Sequence, residues 1–343
     1  MTQLNEAAPQ RTGPAGSLSR STLQTWFTKP TSKSLVMNVG ILMMLCLWLS
    51  FATSQFASSG NLTNVIRQIS FVGIAACAVT PVMVAGGLDL SVGSIVAVAG
   101  VTAAKFIAQA QWPLAWAFAV GIIAGGVIGG LNAFLVVGMR INPVIATLGT
   151  MYIGRGLANV VAGGSPVTGV PLQFNDLATS FLGPIPTPVV IFVIIAAVMM
   201  VMERKTILGR WTIASGGNEE AANLSGIPVN RTRVVLYVMS GLAAGIAGIL
   251  INSRVATGDP TSGAGFEFDV IVAVVLGGTA ITGGQGSILG SIVGVLIVGV
   301  LDNGLNLLGV STFYQSIVEG AVLIFAVGID EVFRRAWWSI LRR

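Results

Sequence analysis

Histidine is absent from the 343 residues, and only 9% of them are charged, against roughly a quarter in an ordinary soluble domain. Losing histidine removes the commonest general base and a principal metal ligand. No HExxH, CxxC or GxSxG pattern occurs, and the carboxylates are scattered rather than paired. An enzyme, whether soluble or membrane-embedded, has nothing in the sequence to support it. The two cysteines, Cys46 and Cys77, both sit in apolar runs and read as inert buried thiols rather than a disulfide framework. The four lysines are Lys29, Lys33, Lys105 and Lys205, and none follows a glycine. A phosphate-cradling GxxxxGK[ST] loop is therefore excluded, so the chain does not bind ATP by that route.

What remains is hydrocarbon. Apolar residues make up 54% of the chain, in continuous runs of the roughly 20 residues that a bilayer core demands. A transmembrane β-barrel would instead show short segments of alternating polarity. The runs predict spans at 35–55, 67–86, 91–110, 113–137, 143–162, 187–202, 234–252, 268–282, 286–302 and 314–329. The shortest, 268–282, either spans or is re-entrant. The expected fold is an all-α polytopic membrane protein of about ten transmembrane helices, with broken or short helices near its Gly-rich segments.

Basic residues set the orientation. The polar head, residues 1–34, holds Arg11, Arg20, Lys29 and Lys33; its composition predicts a disordered tail. The stretch 203–233 holds Arg204, Lys205, Arg210, Arg231 and Arg233, and the tail 330–343 holds Arg334, Arg335, Arg342 and Arg343. Loop 163–186 has none, and 253–267 has only Arg254. The excess of Lys and Arg on cytoplasmic loops places head, 203–233 and tail in the cytoplasm, around a membrane domain of residues 35–329. Six predicted spans separate head from loop and four separate loop from tail, and both counts are even, as that orientation requires. The net charge of +5 thus reads as membrane orientation rather than nucleic-acid binding. Loop 163–186 is then external, either a plain connector or a docking surface.

Glycines recur at spacing four: Gly121, Gly125 and Gly129; Gly241 and Gly245; Gly286, Gly290 and Gly294. Such stripes predict close helix contacts, because small residues let membrane helices approach. Two other clusters differ. "VAGGLDLSVGS" (84–94) sets Asp89 among glycines, and "LGGTAITGGQGS" (276–287) is too glycine-rich for a regular helix. Paired Gly-rich interruptions, one in each half, point either to a transport path or to tight turns between spans. Candidates for the path are Asp89 and Ser91 in the first cluster and Gly277, Thr279 and Gly283 in the second. Asn303 and Glu319, in or beside the last two spans, complete the set. Lys105, Arg155 and Asp302 are further charges within or bordering spans, either functional or structural.

The stretch "GGNEEAANLSGIPVN" (216–230) is polar within an oily chain. Asn218 suits an N-cap, Glu219 and Glu220 the first turn, and Gly226 the C′ position, followed by Pro228. This predicts a helix from Glu219 to Ser225, about 10 Å long and too short to persist unbraced. The brace is either the membrane domain itself or a soluble partner.

That stretch resembles the cytoplasmic EAA-type loop of ABC-importer permeases. "GGLDLSVGS", "VVLGGTAITGGQGSILG" and "DNGLNLLGVSTFYQ" (302–315) resemble further signatures of the ribose/monosaccharide type, across about residues 35 to 330. The resemblance implies the transmembrane subunit of an importer in the bacterial inner membrane. It would form the path for a pentose or hexose delivered by a periplasmic sugar-binding protein. It would work with a second permease subunit, as a homodimer or related heterodimer, and with separate ABC ATPase subunits that carry ATP and Mg. No cofactor is expected on this chain. The matching coupling residues are Asn218, Glu219, Glu220, Ala221, Ala222 and Gly226, with Glu219 departing from the usual pattern. An ion-coupled secondary transporter using Asp89 and Glu319 is the alternative.

Overall fold

The computed structural model describes residues 30–311 and, beyond them, 313–318, 320–322, 324 and 328. Glu319, the head up to residue 29 and the tail 330–343 lie outside the described residues. The chain is helical nearly throughout. Helices α1 (Pro30–Ala52), α2 (Ser59–Val84), α3 (Val92–Ala108) and α4 (Leu114–Ala133) come first. A π-helical turn, Phe134–Gly138, extends α4, and α5 (Pro143–Ala162) follows. Next come α6 (Leu172–Thr179), a hairpin of β1 (Phe181–Leu182) and β2 (Ile185–Pro186), and α7 (Thr187–Lys205). Two short helices, α8 (Ile207–Gly217) and α9 (Glu219–Leu224), precede α10 (Val229–Arg254), α11 (Phe266–Leu276) and α12 (Ile288–Leu307).

Among the described residues seven helices are long and apolar enough to cross a bilayer, and α3 is a shorter apolar helix of 17 residues. The expected span 268–282 is corrected: α11 has 11 residues and stops at Leu276. At 1.5 Å per residue it covers about 16 Å, half the hydrocarbon thickness. The following segment turns back, with Gly278, Gly283 and Gly284 at positive φ where a helix cannot continue. Of the expected span 314–329, residues 314–318, 320–322, 324 and 328 are described and helical, and the others lie outside the described residues. Helix α1 starts at Pro30, earlier than the apolar run, because proline is well suited to a first helical position and the polar residues after it extend the helix.

Helix α2 is the central post, with 78% of its most apolar window buried, whereas α1 lies at the periphery with 11%. The glycine stripes interlock as expected. A Cβ on Gly125 would overlap the Gly241 carbonyl oxygen, and one on Gly241 the Gly125 carbonyl oxygen. Gly129 meets the Tyr237 backbone in the same way, and Gly290 and Gly294 seat α12 against Gly277 and Ala273. Backbones at this separation gain van der Waals contact that no side chain could provide in lipid.

Two helices begin inside the body rather than at its edge. Ser91, Val92, Gly93 and Ser94 at the start of α3 are fully buried. The segment before α11 reaches them: a Cβ on Gly93 would overlap the Glu267 carboxylate and the Gly263 carbonyl oxygen. Arg155 of α5 holds that segment. Its guanidinium donates to Ser262 O at 3.0 Å and Gly263 O at 2.5 Å, and pairs with Glu267 at 3.5 Å. The deep arginine of the sequence is thus an interhelical ion pair that also satisfies carbonyls of an irregular segment. Lys105 donates to Val161 O at 2.6 Å. The connection 163–186 is a folded cap, with Phe174 fully buried, Asn175 donating to Ser253 O at 2.9 Å and Val167 bridged to Gly258.

Candidate functional site

The polar stretch after α7 forms two short helices joined at one residue. Asn218 ends α8 and caps α9, its Oδ1 accepting from the Ala221 N–H at 2.9 Å. Gly226 closes the helix at φ 79°, and the Ile227 N–H returns to Ala222 O at 3.0 Å. The sequence therefore carried the caps, and the helix is one residue shorter than expected. Glu219 makes a two-pronged ion pair with Arg233 on α10, at 3.0 and 2.7 Å. This braces α9 from within the chain. Glu220, Ala221, Ser225 and Gly226 are exposed, whereas Ala222 is buried against the body. Ala222 thus does not offer its side chain to a partner. Leu224, which the sequence reading passed over, is 84% exposed at the end of the helix.

Asp89 and Ser91 come together in a second constellation. The chain leaves α2 at Val84, crosses 85–91 without helix and enters α3. Asp89 is 0% exposed, and its carboxylate is fully engaged. Oδ1 accepts from the Ser91 N–H at 3.0 Å, the Ser91 hydroxyl at 2.6 Å and the Asn132 amide at 3.2 Å; Oδ2 accepts from the Ser240 hydroxyl at 2.7 Å. Thr150 donates to Asn132 Oδ1 at 2.5 Å. The carboxylate thus ties α4 and α10 to the break before α3, and α5 joins through Asn132. Asn132, Thr150 and Ser240 were missed in the sequence; the signal was polar residues at fully apolar helix positions. Ser240 lies about 16 Å along α10 from Val229, well inside the helix.

The remaining path candidates are elsewhere. Gly277, Thr279 and Gly283 belong to the α11–α12 connection, a compact turn in which Ala280 N bonds Gln285 O at 3.0 Å. Gly277 seats against the Gly290 backbone, Thr279 is buried, and Gly283 lies against Gly86. Asn303 exchanges amide bonds with Asn61 at 2.8 and 3.0 Å, about 22 Å along α12 from Ile288. The structure therefore brings Asp89 and Ser91 together, sets Gly283 and Gly284 of the second Gly-rich cluster against Gly86 and Val84 at the end of α2, and leaves Asn303 far from both.

The family model described as "Branched-chain amino acid transport system / permease component" matches residues 61–327. The ribose import permease protein RbsC of Bacillus subtilis (strain 168) is 41% identical over 291 residues, covering 84% of this chain and 90% of that protein. The L-arabinose ABC transporter permease protein AraH of Azospirillum brasilense is 39% identical, covering 87% of each chain. The D-allose transport system permease protein AlsC of Escherichia coli (strain K12) is 35% identical, covering 83% of this chain and 88% of that protein. No solved structure matches. With a helical membrane body, a capped polar helix between two long spans and this match across most of its length, the chain belongs to the family of transport-system permease components.

Proposed function

We propose that this chain is the transmembrane subunit of an ABC importer that admits a monosaccharide across the bacterial inner membrane. A periplasmic binding protein delivers the sugar. A separate ATPase, carrying ATP and Mg, drives the cycle by moving α9, and two permease subunits enclose the path. Head, residues 203–233 and tail face the cytoplasm. The observation that carries this reading is α9 itself: a capped six-residue helix, held to the body by Glu219–Arg233 and presenting Glu220 and Leu224 outward. Relatives named for ribose, L-arabinose and D-allose support the class of substrate rather than one sugar. Asp89 counts against the ion-coupled alternative, because four hydrogen-bond donors already occupy its carboxylate.

The test is reconstitution in proteoliposomes. The chain alone is expected to give no ATP-dependent sugar uptake, and addition of its cognate ATPase and binding protein is expected to supply it. Uptake by the chain alone, or uptake abolished by a protonophore and indifferent to ATP, would overturn the reading.

A further inference from the structure

Glycines from three distant segments meet at one point. Gly86 follows α2, Gly216 and Gly217 end α8 immediately before Asn218, and Gly283 and Gly284 lie between α11 and α12. A Cβ on Gly216 would overlap the Val84 carbonyl oxygen and stand 2.6 Å from the Gly284 nitrogen. One on Gly283 would stand 2.9 Å from the Gly86 Cα, and one on Gly284 2.9 Å from the Gly217 Cα. The Gly284 N–H donates to Val84 O at 2.8 Å. Backbone touches backbone here, with no side chain between to bend and absorb a displacement.

A second tie runs beside the first. Arg233, which grips Glu219 of α9, also reaches Ala85 O at 3.5 Å. Ala85 begins the non-helical run that ends at Asp89. Two buried hydroxyls flank the junction, Ser215 Oγ and Thr279 Oγ1, and neither finds a hydrogen-bond partner among the described residues.

We propose that this junction is a transmission joint, through which displacement of α9 reaches both interrupted membrane segments at once. One is the run 85–91 that carries Asp89; the other is the α11–α12 connection. Gly216 and the Glu219–Arg233 pair are its positioning residues. The proposal rests on the importer reading above and adds where the force enters the membrane domain.

The readout is sugar taken up per ATP hydrolysed, in proteoliposomes holding the permease, its ATPase and its binding protein. Gly216→Ala drives a methyl into the Val84 carbonyl, and uptake per ATP is expected to fall about tenfold while the ATPase still binds, because an over-packed backbone contact must separate. Gly60→Ala, outside the junction, adds its methyl to open space and is expected to stay within about twofold, as surface substitutions do. Glu219→Arg and Arg233→Glu are each expected to lower the ratio, and the double swap to restore at least about half of it, the signature of a coupled pair. If Gly216→Ala does not reach the membrane, the swap alone decides. Normal coupling in Gly216→Ala, or a double swap no better than its singles, would overturn the joint. Failure of the unaltered chain to take up sugar with its partners would instead overturn the importer reading.

Discussion

Replacing Asp89 by leucine is the sharpest perturbation of the membrane body. The change keeps the branched shape, replaces two oxygens by bulkier methyl groups, and removes the acceptor of four hydrogen bonds. Not all four donors are stranded. The Asn132 amide still donates to the Ser91 hydroxyl at 2.7 Å, so those two retain a partner. The Ser91 N–H and the Ser240 hydroxyl lose the partners described here, and an unsatisfied buried group costs about 1–3 kcal/mol. That predicts about 2–6 kcal/mol of destabilisation. Counting only the two interhelical bonds, to Asn132 and Ser240, at the membrane average of about 0.6 kcal/mol each gives a lower figure, about 1 kcal/mol. Asp89→Asn separates the two estimates. Its amide oxygen still accepts from Ser91, and the Ser240 hydroxyl rotates to accept from the new amide, so the cost is about 1 kcal/mol. The assay is reversible unfolding of both variants in mixed detergent micelles. A leucine variant within about 1 kcal/mol of the parent, or an asparagine variant as damaged as the leucine one, would refute the reasoning.

Gly125→Ala is expected to destabilise the α4–α10 contact by about 1–3 kcal/mol, since its methyl meets the Gly241 carbonyl. Gly130→Ala, whose methyl meets nothing within 4 Å, is expected to be neutral in the same unfolding assay. Asn218→Ala removes the cap of α9 at a cost of about 1 kcal/mol, measured as faster hydrogen exchange at the Ala221 amide. Leu224→Asp is expected to weaken ATPase binding about tenfold or more while leaving the melting temperature of the permease unchanged, because the side chain is 84% exposed.

Much of this was legible in the residues. Continuous apolar runs located α1 to α5, α7, α10 and α12, because a bilayer leaves little choice of backbone for such a segment. The glycine stripes predicted close contacts but not their mates. That Gly125 meets Gly241 depends on the register of two helices far apart in sequence, which no local signal encodes. For 268–282 the residues left a span and a re-entrant segment both open, because "VIVAVVLGG" is apolar throughout, while hydropathy does not register the positive φ that ends α11. Asn218 and Gly226 were readable as caps since capping is local chemistry. Asp89 was readable as unusual, but not its surroundings: Asn132 and Ser240, which bond it, and Thr150, which bonds Asn132, come from three helices and are united only by packing. The burial of Ala222, expected to meet a partner, and the exposure of Leu224, to which no role was assigned, were illegible for a similar reason. Which face of a six-residue helix is buried depends on the body beneath it.

The most direct test of the account is the sidedness and engagement of α9. In a background with Cys46 and Cys77 replaced by alanine, Leu224→Cys is labelled with a membrane-impermeant thiol reagent in oriented vesicles. Labelling from the cytoplasmic face alone, suppressed when the cognate ATPase is bound, is the predicted result. Labelling from the opposite face, or labelling untouched by the ATPase, would contradict it.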